Sequence, residues 1–228
     1  MSSPTSNWAG SAMAVFAKDW RCELRSRYAL NAIALFAVTT LVVTSAALGP
    51  AGTQKSLAIN VLPAMLWLIL LFAAAAGLPR AFVHEEEGHT AMALRLAAPP
   101  SALFVGKLLF GITLLLGIEA LVAPLYLAVM TLEVASPGLL AVALLCGGYG
   151  LAAGSVLIAA LASQARGRST LFSVLAFPVL LPLLLLAIEL TRNAVAGDPP
   201  GPALPQLLLY DGSVTIAGLM LFPAVWNP

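Results

Sequence analysis

The two histidines of the 228-residue chain, His84 and His89, are the first residues whose spacing invites a chemical interpretation. A zinc-protease motif, His-Glu-x-x-His, places both imidazoles on one helical face because they are four residues apart. Here the spacing is five and Gly88 interrupts the stretch, so the imidazoles would point about 140° apart on a helix. We therefore exclude metalloprotease chemistry and expect surface histidines and no metal site.

The sequence also lacks the usual motif that binds ATP phosphates. GxxxxGK[ST] is absent, and the one Gly-Lys pair, Gly106-Lys107, is followed by Leu108. Cys22 and Cys146 match neither the spacing of a zinc site nor a disulfide framework. No catalytic residue can be assigned, and we expect this chain not to be an enzyme.

Two acidic residues, Glu119 and Asp211, lie inside long apolar runs. An ionisable group within a membrane is costly and by default indicates a functional site. Glu119 either hydrogen-bonds to a neighbouring helix or belongs to a translocation seam, and interhelical bonding is the more common role. Pro178 and Pro182 lie in another run, where each would free a backbone carbonyl and kink a helix.

The composition shows which elements must position these residues. Hydrophobic residues make up 61% of the chain and charged residues 9%, with a mean hydropathy of +0.97, whereas a soluble domain carries about 25% charged residues. Long Ala/Leu-rich runs favour helices over a barrel, and each run exceeds the length of about 20 residues that a bilayer requires. We predict an all-α polytopic membrane protein with six transmembrane helices. The predicted spans are Tyr28–Leu48, Leu57–Leu78, Ala102–Leu132, Leu139–Leu161, Thr170–Leu190 and Leu204–Val225.

The basic residues predict the orientation of these spans. Nine of the eleven Lys and Arg residues fall on one side, and only Lys55 and Arg192 fall on the other. Because cytoplasmic connections carry the excess of positive charge, both termini are predicted to be cytoplasmic. The outer connections are expected to be short. They are Gly49–Gln54, Ser136–Gly138 and Asn193–Pro205.

Residues 1–27 precede the six-helix region of residues 28–228. Met13, Phe16, Trp20 and Leu24 recur at helical spacing with charged residues around them. This pattern is typical of an amphipathic helix lying in the membrane interface with its basic side toward lipid head groups.

The longest cytoplasmic connection, residues 79–101, combines an acidic stretch, Glu85–Glu87, with a short apolar segment, Thr90–Ala97. A double proline then ends the segment, since proline cannot continue a helix. Such a segment could dock on a cytoplasmic protein or form a solvated loop, and the composition leaves these two alternatives open.

Several motifs together resemble one family, the cytochrome c biogenesis ABC-transporter permeases known as haem exporter protein B. The resemblance covers roughly Asp19 to Pro223. The double-proline run Leu175–Leu183 is the most specific mark. The other motifs are Trp20–Arg25, Arg80–Phe82 with Glu85–Gly88, Pro99 or Pro100 with Lys107, Ala123–Leu125 and Arg166–Arg168.

This resemblance implies an ABC-2-type, type V exporter-like permease. It implies a cytoplasmic ATPase subunit that binds ATP and docks on residues 79–101, with a coupling role for Arg80, Glu85, Glu86, Glu87 and Gly88. It also implies a second haem-handling membrane subunit, a small single-span subunit and a periplasmic haem chaperone. Haem would then be a transported or handled ligand rather than a resident cofactor, and no nucleic acid is expected as a partner.

Two alternatives to this function stay open at the level of sequence. One is a permease that exports a lipid or polysaccharide, and the other is a non-transporting assembly scaffold. The sequence also leaves open whether two copies pair or one copy pairs with a different membrane subunit. The ending, Pro223–Pro228, departs from the basic turn with which the family often closes, which leaves the limits of the sixth span open.

Overall fold

A computed structural model of the protein describes residues 8–26, 28–49, 54–77, 98–163 and 168–226. Within these ranges the chain forms eight α-helices and no strand, so the predicted all-α class is confirmed. The helices are α1 (Trp8–Ser26), α2 (Tyr28–Leu48), α3 (Lys55–Asn60), α4 (Leu62–Gly77), α5 (Pro100–Val129), α6 (Pro137–Ser163), α7 (Arg168–Ala196) and α8 (Ala203–Trp226).

Five helical segments in the described part of the chain are long and apolar enough to cross a membrane. They are α3 together with α4, and then α5, α6, α7 and α8. Helix α2 has the bounds predicted for the first span, and its described apolar part, Ala34–Leu48, is shorter than a full span. The polytopic architecture is therefore confirmed, while the count of six spans stays a prediction.

The second predicted span is divided into α3 and α4 at Val61. In a continuous helix residue 63 would donate its N–H to the carbonyl of Ile59, but Pro63 has no N–H. The ladder continues on both sides of this gap. The Val61 N–H binds the Leu57 carbonyl at 3.0 Å, and the Met65 N–H binds the Val61 carbonyl at 3.0 Å.

Two boundaries on the side predicted to be outer are wrong. The fifth span was expected to end at Leu190, but α7 continues to Ala196, so the connection predicted over Asn193–Pro205 shortens to residues 197–202. The third span was expected to reach Leu132, but α5 ends at Val129 and residues 130–136 connect it to α6.

The end of α7 is set by Gly197 and not by the polar residues before it. Gly197 has a φ of +82°, which glycine adopts without the penalty that a Cβ would bring. The N–H groups of Gly197 and Asp198 both bind the carbonyl of Asn193 at 2.9 Å, which satisfies a carbonyl of the last helical turn. Arg192 and Asn193 therefore stay helical, because nothing interrupts the helix until the glycine.

Helix α6 is the centre of the bundle. It packs most extensively against α7, and it also contacts α8, α5 and α4. Every residue from Gly150 to Ala160 is buried, and 67% of the α6 span is buried, compared with 28% of the α8 span. The side chains that the other helices direct inward therefore meet on α6.

Candidate functional site

Glycines on α6 receive large or acidic side chains from the surrounding helices. A methyl group on Gly147 would overlap the indole ring of Trp67 in α4. The glycines Gly148 and Gly150 receive side chains from α5 and α8, described below. Small residues let helices approach closely in a membrane. Each of these glycines therefore leaves the space in which one specific side chain of a neighbouring helix packs.

Besides its contact with Gly147, Trp67 forms a hydrogen bond across the bundle. The Trp67 indole Nε1 donates to the Thr191 Oγ1 in α7 at 2.8 Å, and the Thr191 hydroxyl donates to the Ala187 carbonyl at 2.8 Å. Trp67 is fully buried and Thr191 is 1% exposed. These two hydrogen bonds and the contact of Trp67 with Gly147 link α4, α6 and α7. No motif in the sequence indicated this connection.

Glu119 in α5 lies against Gly148. A methyl group on Gly148 would overlap the Glu119 Oε1 and would lie 2.8 Å from its Cδ. Glu119 is 4% exposed, and neither of its carboxyl oxygens has a hydrogen-bond partner among the described residues. The structure thus places Glu119, which the sequence marked as an intramembrane acid, in the core of the bundle. Its carboxyl group is directed at the backbone of α6 and not at lipid.

Asp211 in α8 lies against Gly150, where a methyl group would overlap its Oδ1. Asp211 is 5% exposed, and its Oδ1 has no hydrogen-bond partner among the described residues. Near it the Tyr149 and Thr215 hydroxyls share a hydrogen bond of 2.8 Å, and the Thr215 Oγ1 donates to the Asp211 carbonyl at 2.7 Å. The polar groups around Asp211 therefore join α6 to α8.

The two buried acids do not form one site. The glycines that they contact, Gly148 and Gly150, are two residues apart on α6, which places the two contacts about 200° apart around the helix. Glu119 packs on the side of α6 that faces α5, and Asp211 packs on the side that faces α8. Within the described ranges no group of three or more His, Cys, Asp or Glu residues is arranged to hold a metal ion.

A second polar junction lies where α1 packs on the first turns of α5. The Asp19 Oδ2 is 3.5 Å from the Lys107 Nζ and the Asp19 Oδ1 is 2.9 Å from the Lys18 Nζ. Lys107 is 1% exposed and Asp19 is 7% exposed. Because 3.5 Å exceeds the usual N–H···O distance, the Asp19–Lys107 contact is an ion pair without good hydrogen-bond geometry.

Shape complementarity brings α1 close enough for this ion pair. A Cβ on Gly106 would lie 2.7 Å from the Ala12 carbonyl oxygen and 2.7 Å from the Val15 Cβ. At the beginning of α1 the Trp8 Nε1 donates to the Ser101 Oγ at 2.9 Å. Helix α1 is thus fixed to α5 along the segment that directly follows residues 78–97.

The comparison with known proteins agrees with this architecture. A family model described as CcmB protein matches residues 11–225, from α1 to the last turns of α8. The chain belongs to the CcmB family. A curated relative named Heme exporter protein B, from Bradyrhizobium diazoefficiens, is 26% identical over 185 residues. The match covers 81% of this chain and 82% of that protein.

The predicted coupling residues of this CcmB family member lie outside the described residues. They are Arg80, Glu85, Glu86, Glu87 and Gly88. Their coupling role stays a prediction, and the structure resumes at Ala98, directly before α5.

The predicted kink prolines, Pro178 and Pro182, both lie inside α7 and are exposed. Pro182 has no N–H to donate to the carbonyl of Pro178, which opens the helical ladder at this turn. Next to this turn the Tyr210 hydroxyl of α8 donates to the Val179 carbonyl. In this family member the proline turn is therefore adjacent to a contact between α7 and α8.

The Asp19–Lys107 pair is the junction that sequence reasoning missed. Lys107 is one of the nine basic residues that predict the cytoplasmic side, yet it lies in the second turn of α5 and is buried. A signal was present, because a lone lysine between apolar residues on both sides needs an acidic partner if it is buried. The predicted apolar face of α1 is divided, because Phe16 and Trp20 pack against the core and Trp20 contacts Phe110 of α5 with ring centroids 6.3 Å apart. Met13 and Leu24 stay exposed, and their contact with the membrane interface remains a prediction.

Proposed function

We propose that this chain is the membrane subunit of an ABC transporter complex for cytochrome c maturation. In this proposal ATP hydrolysis by a partner subunit drives haem export or the release of a haem-loaded periplasmic chaperone. Membership of the CcmB family and the similarity to a protein named Heme exporter protein B support this function. The complex would sit in the bacterial inner membrane with both termini of this chain in the cytoplasm.

The observation that carries the coupling part of the proposal is the junction of α1 with α5. Residues 79–101, on which we propose that the ATPase docks, reach the first two residues of α5, and the first turns of α5 are fixed to α1 by the Asp19–Lys107 pair and by the close contact at Gly106. Helix α5 also packs against α6 and α8. A displacement of the docking segment would therefore act on α1 and α5 together and reach the centre of the bundle through α5.

The proposal assigns ATP chemistry to a partner because the chain has no phosphate-binding motif of the P-loop type. The expected partners are a cytoplasmic ATPase, a second haem-handling membrane subunit, a small single-span subunit and, indirectly, the periplasmic chaperone. In this arrangement the present chain transmits movement and does not bind the nucleotide.

Reconstitution of the complex tests this function. ATPase activity would be measured in proteoliposomes with and without the haem-loaded chaperone. We expect the loaded chaperone to change the rate of hydrolysis, because its release is the step that hydrolysis drives. A rate that is the same with loaded chaperone, empty chaperone and no chaperone would contradict the maturation role and favour a different exported substrate.

The docking segment has a separate test. Changing Glu86→Lys together with Glu87→Lys reverses two charges in the acidic stretch and should release the ATPase from membranes that contain this chain. Glu189→Lys, an exposed substitution in α7 far along the chain from this segment, is the matched control and should retain the ATPase. Retention by the double variant at the control level would remove the docking role of the acidic stretch.

A further inference from the structure

An open pocket of about 370 Å³ lies between α3, the connection from α5 to α6, and the last turn of α7. Its volume falls in the range of about 300–1,000 Å³ that is typical of small-molecule sites. Ala58, Ile59, Val134 and Val195 contribute an apolar floor, and the charged residues Lys55 and Glu133 also line the pocket.

Hydrogen bonding and packing fix the walls of this pocket. The Ser136 N–H donates to the Ala194 carbonyl at 2.9 Å, which ties the connection after α5 to the last turn of α7. A Cβ on Gly197 would lie 3.1 Å from the Ala135 Cβ, so the two segments also pack closely side by side. The pocket is therefore formed by ordered backbone on two sides and by α3 on the third.

The two charged residues of the pocket have opposite signs and do not pair with each other. Lys55 and Glu133 are both exposed, and neither forms an ion pair within the part of the chain that the structure describes. The pocket thus offers one cationic and one anionic group with apolar surface beside them. A ligand that carries both a negative and a positive group on a partly apolar body matches this arrangement.

The position of the pocket along the helices indicates where such a ligand comes from. Lys55 begins the span that ends at Ala75, Glu133 follows the end of α5 by a few residues, and Ala196 is the last residue of α7. All three elements therefore place the pocket where spans end, which is the depth of lipid head groups. Lys and Glu side chains at span ends extend toward this layer.

We propose that this pocket binds the head group of a phospholipid of the phosphatidylethanolamine class. The Lys55 ammonium would bind the lipid phosphate, the Glu133 carboxylate would accept hydrogen bonds from the lipid ammonium, and the glycerol end would lie on Ile59 and Val195. An anionic lipid lacks the positive group that Glu133 requires. A choline lipid carries a quaternary ammonium that cannot donate a hydrogen bond. This proposal does not depend on the transported substrate.

Lipid titration of the purified full-length chain tests this site. The chain in detergent would be titrated with phosphatidylethanolamine, phosphatidylglycerol and phosphatidylcholine, and retained lipid would be counted by native mass spectrometry. We expect phosphatidylethanolamine to be retained at about tenfold lower concentration than the other two, which corresponds to one charge-assisted hydrogen bond. Equal retention of the three lipids by the unmodified protein would overturn the proposal.

Variants locate the binding. Glu133→Gln should abolish the tenfold preference for phosphatidylethanolamine. Lys55→Met should weaken the retention of all three lipids about tenfold, because each carries the phosphate, and Lys55→Arg should keep normal retention, since Arg still binds phosphate. Glu189→Gln and Arg192→Met are the matched controls, because these residues are exposed in α7 and do not line the pocket. A loss of preference in the controls as large as in the pocket variants would place the lipid elsewhere and contradict the site.

Two further arms separate the lipid from other occupants. Soluble glycerophosphoethanolamine carries the same charges without acyl chains and should compete only weakly. Competition equal to that of the lipid would identify a soluble ligand and overturn the lipid assignment. The assembled complex should retain the same lipid as the isolated chain, whereas loss of the lipid on assembly would identify the pocket as a contact between subunits and contradict the proposal.

Discussion

The Lys107 ammonium lies 3.5 Å from the Asp19 carboxylate, and this buried ion pair joins the amino-terminal helix to the first turns of α5. The pair connects residues that are far apart in sequence, and both side chains are shielded from solvent. Burial of two charges is costly, so the arrangement persists only because each charge has a partner. It follows that α1 and the beginning of α5 behave as one structural unit.

Removal of one member of this pair should destabilise the protein more than removal of any exposed charge on α1. Asp19→Ala removes an acidic partner of the buried Lys107 ammonium, and we expect a loss of about 3–5 kcal/mol in the free energy of unfolding. The measurement is the temperature at which the detergent-purified chain loses its monodisperse peak in size-exclusion chromatography.

The control for this substitution is Arg21→Ala, an exposed change on the same helix that should leave the temperature unchanged. Asp19→Leu combined with Lys107→Met should recover most of the loss, because well-packed apolar residues can replace a buried pair. A double variant as unstable as Asp19→Ala would show that packing, and not charge, holds α1 in place.

The contact between Glu119 and Gly148 gives a second prediction. Gly148→Ala adds a methyl group where the Glu119 carboxyl lies, so either α5 or the side chain must move. We expect a loss of about 1–3 kcal/mol, as is usual for an overpacked core. The readout is the same chromatographic transition. Gly117→Ala is the matched control in α5, because nothing lies within 4 Å of a Cβ at that position.

Coupling between the two residues shows whether this contact is the cause. Glu119→Ala removes the group that the methyl overlaps, so the double variant with Gly148→Ala should be more stable than the sum of the single effects predicts. We expect an interaction energy within the range of about 0.5–3 kcal/mol that contacting residues show. Strict additivity would mean that the methyl group at position 148 is opposed by some other neighbour.

The sequence predicted the helices well because their apolar runs are long and continuous. The bounds of α2 agree with the first predicted span. The predictions failed where a single backbone residue decides the outcome. Proline 63 interrupts the second span, and Gly197 sets the end of α7 six residues beyond the predicted one.

The pairing of each α6 glycine with a particular side chain could not be predicted, since it depends on the relative rotation of neighbouring helices. The sequence marked Glu119 and Asp211 as unusual from their types alone, but it could not show that each lies against a different side of α6. Lys107 was misjudged for the same reason. Only the position of α1 reveals that this lysine is buried beside Asp19.

The role of Glu119 can be decided by separating assembly from activity. If the carboxyl group is structural, Glu119→Gln should keep normal chain levels and normal cytochrome c maturation, because the amide has nearly the same size and shape as the carboxyl group. Holo-cytochrome c in membranes, measured by its absorbance, reports activity, and immunoblotting reports the amount of chain. Normal chain levels with lost maturation would instead assign Glu119 to a translocation seam.

The last prediction concerns the orientation of the bundle in the membrane, which can be measured by labelling two exposed positions. Nine of the eleven basic residues are predicted to lie on the side that includes α1, so this side should be cytoplasmic. Cys22 is exposed on α1, and Asp198 is exposed in the connection between α7 and α8. A membrane-impermeant maleimide should therefore label Asp198→Cys, in a Cys22→Ser background, in intact spheroplasts. It should label the native Cys22 only after permeabilisation, while Cys146, half-buried within α6, serves as the internal cysteine that stays unlabelled in both conditions. The reverse pattern would invert the bundle, and it would place residues 78–97 on the side of the membrane where no ATPase can reach them.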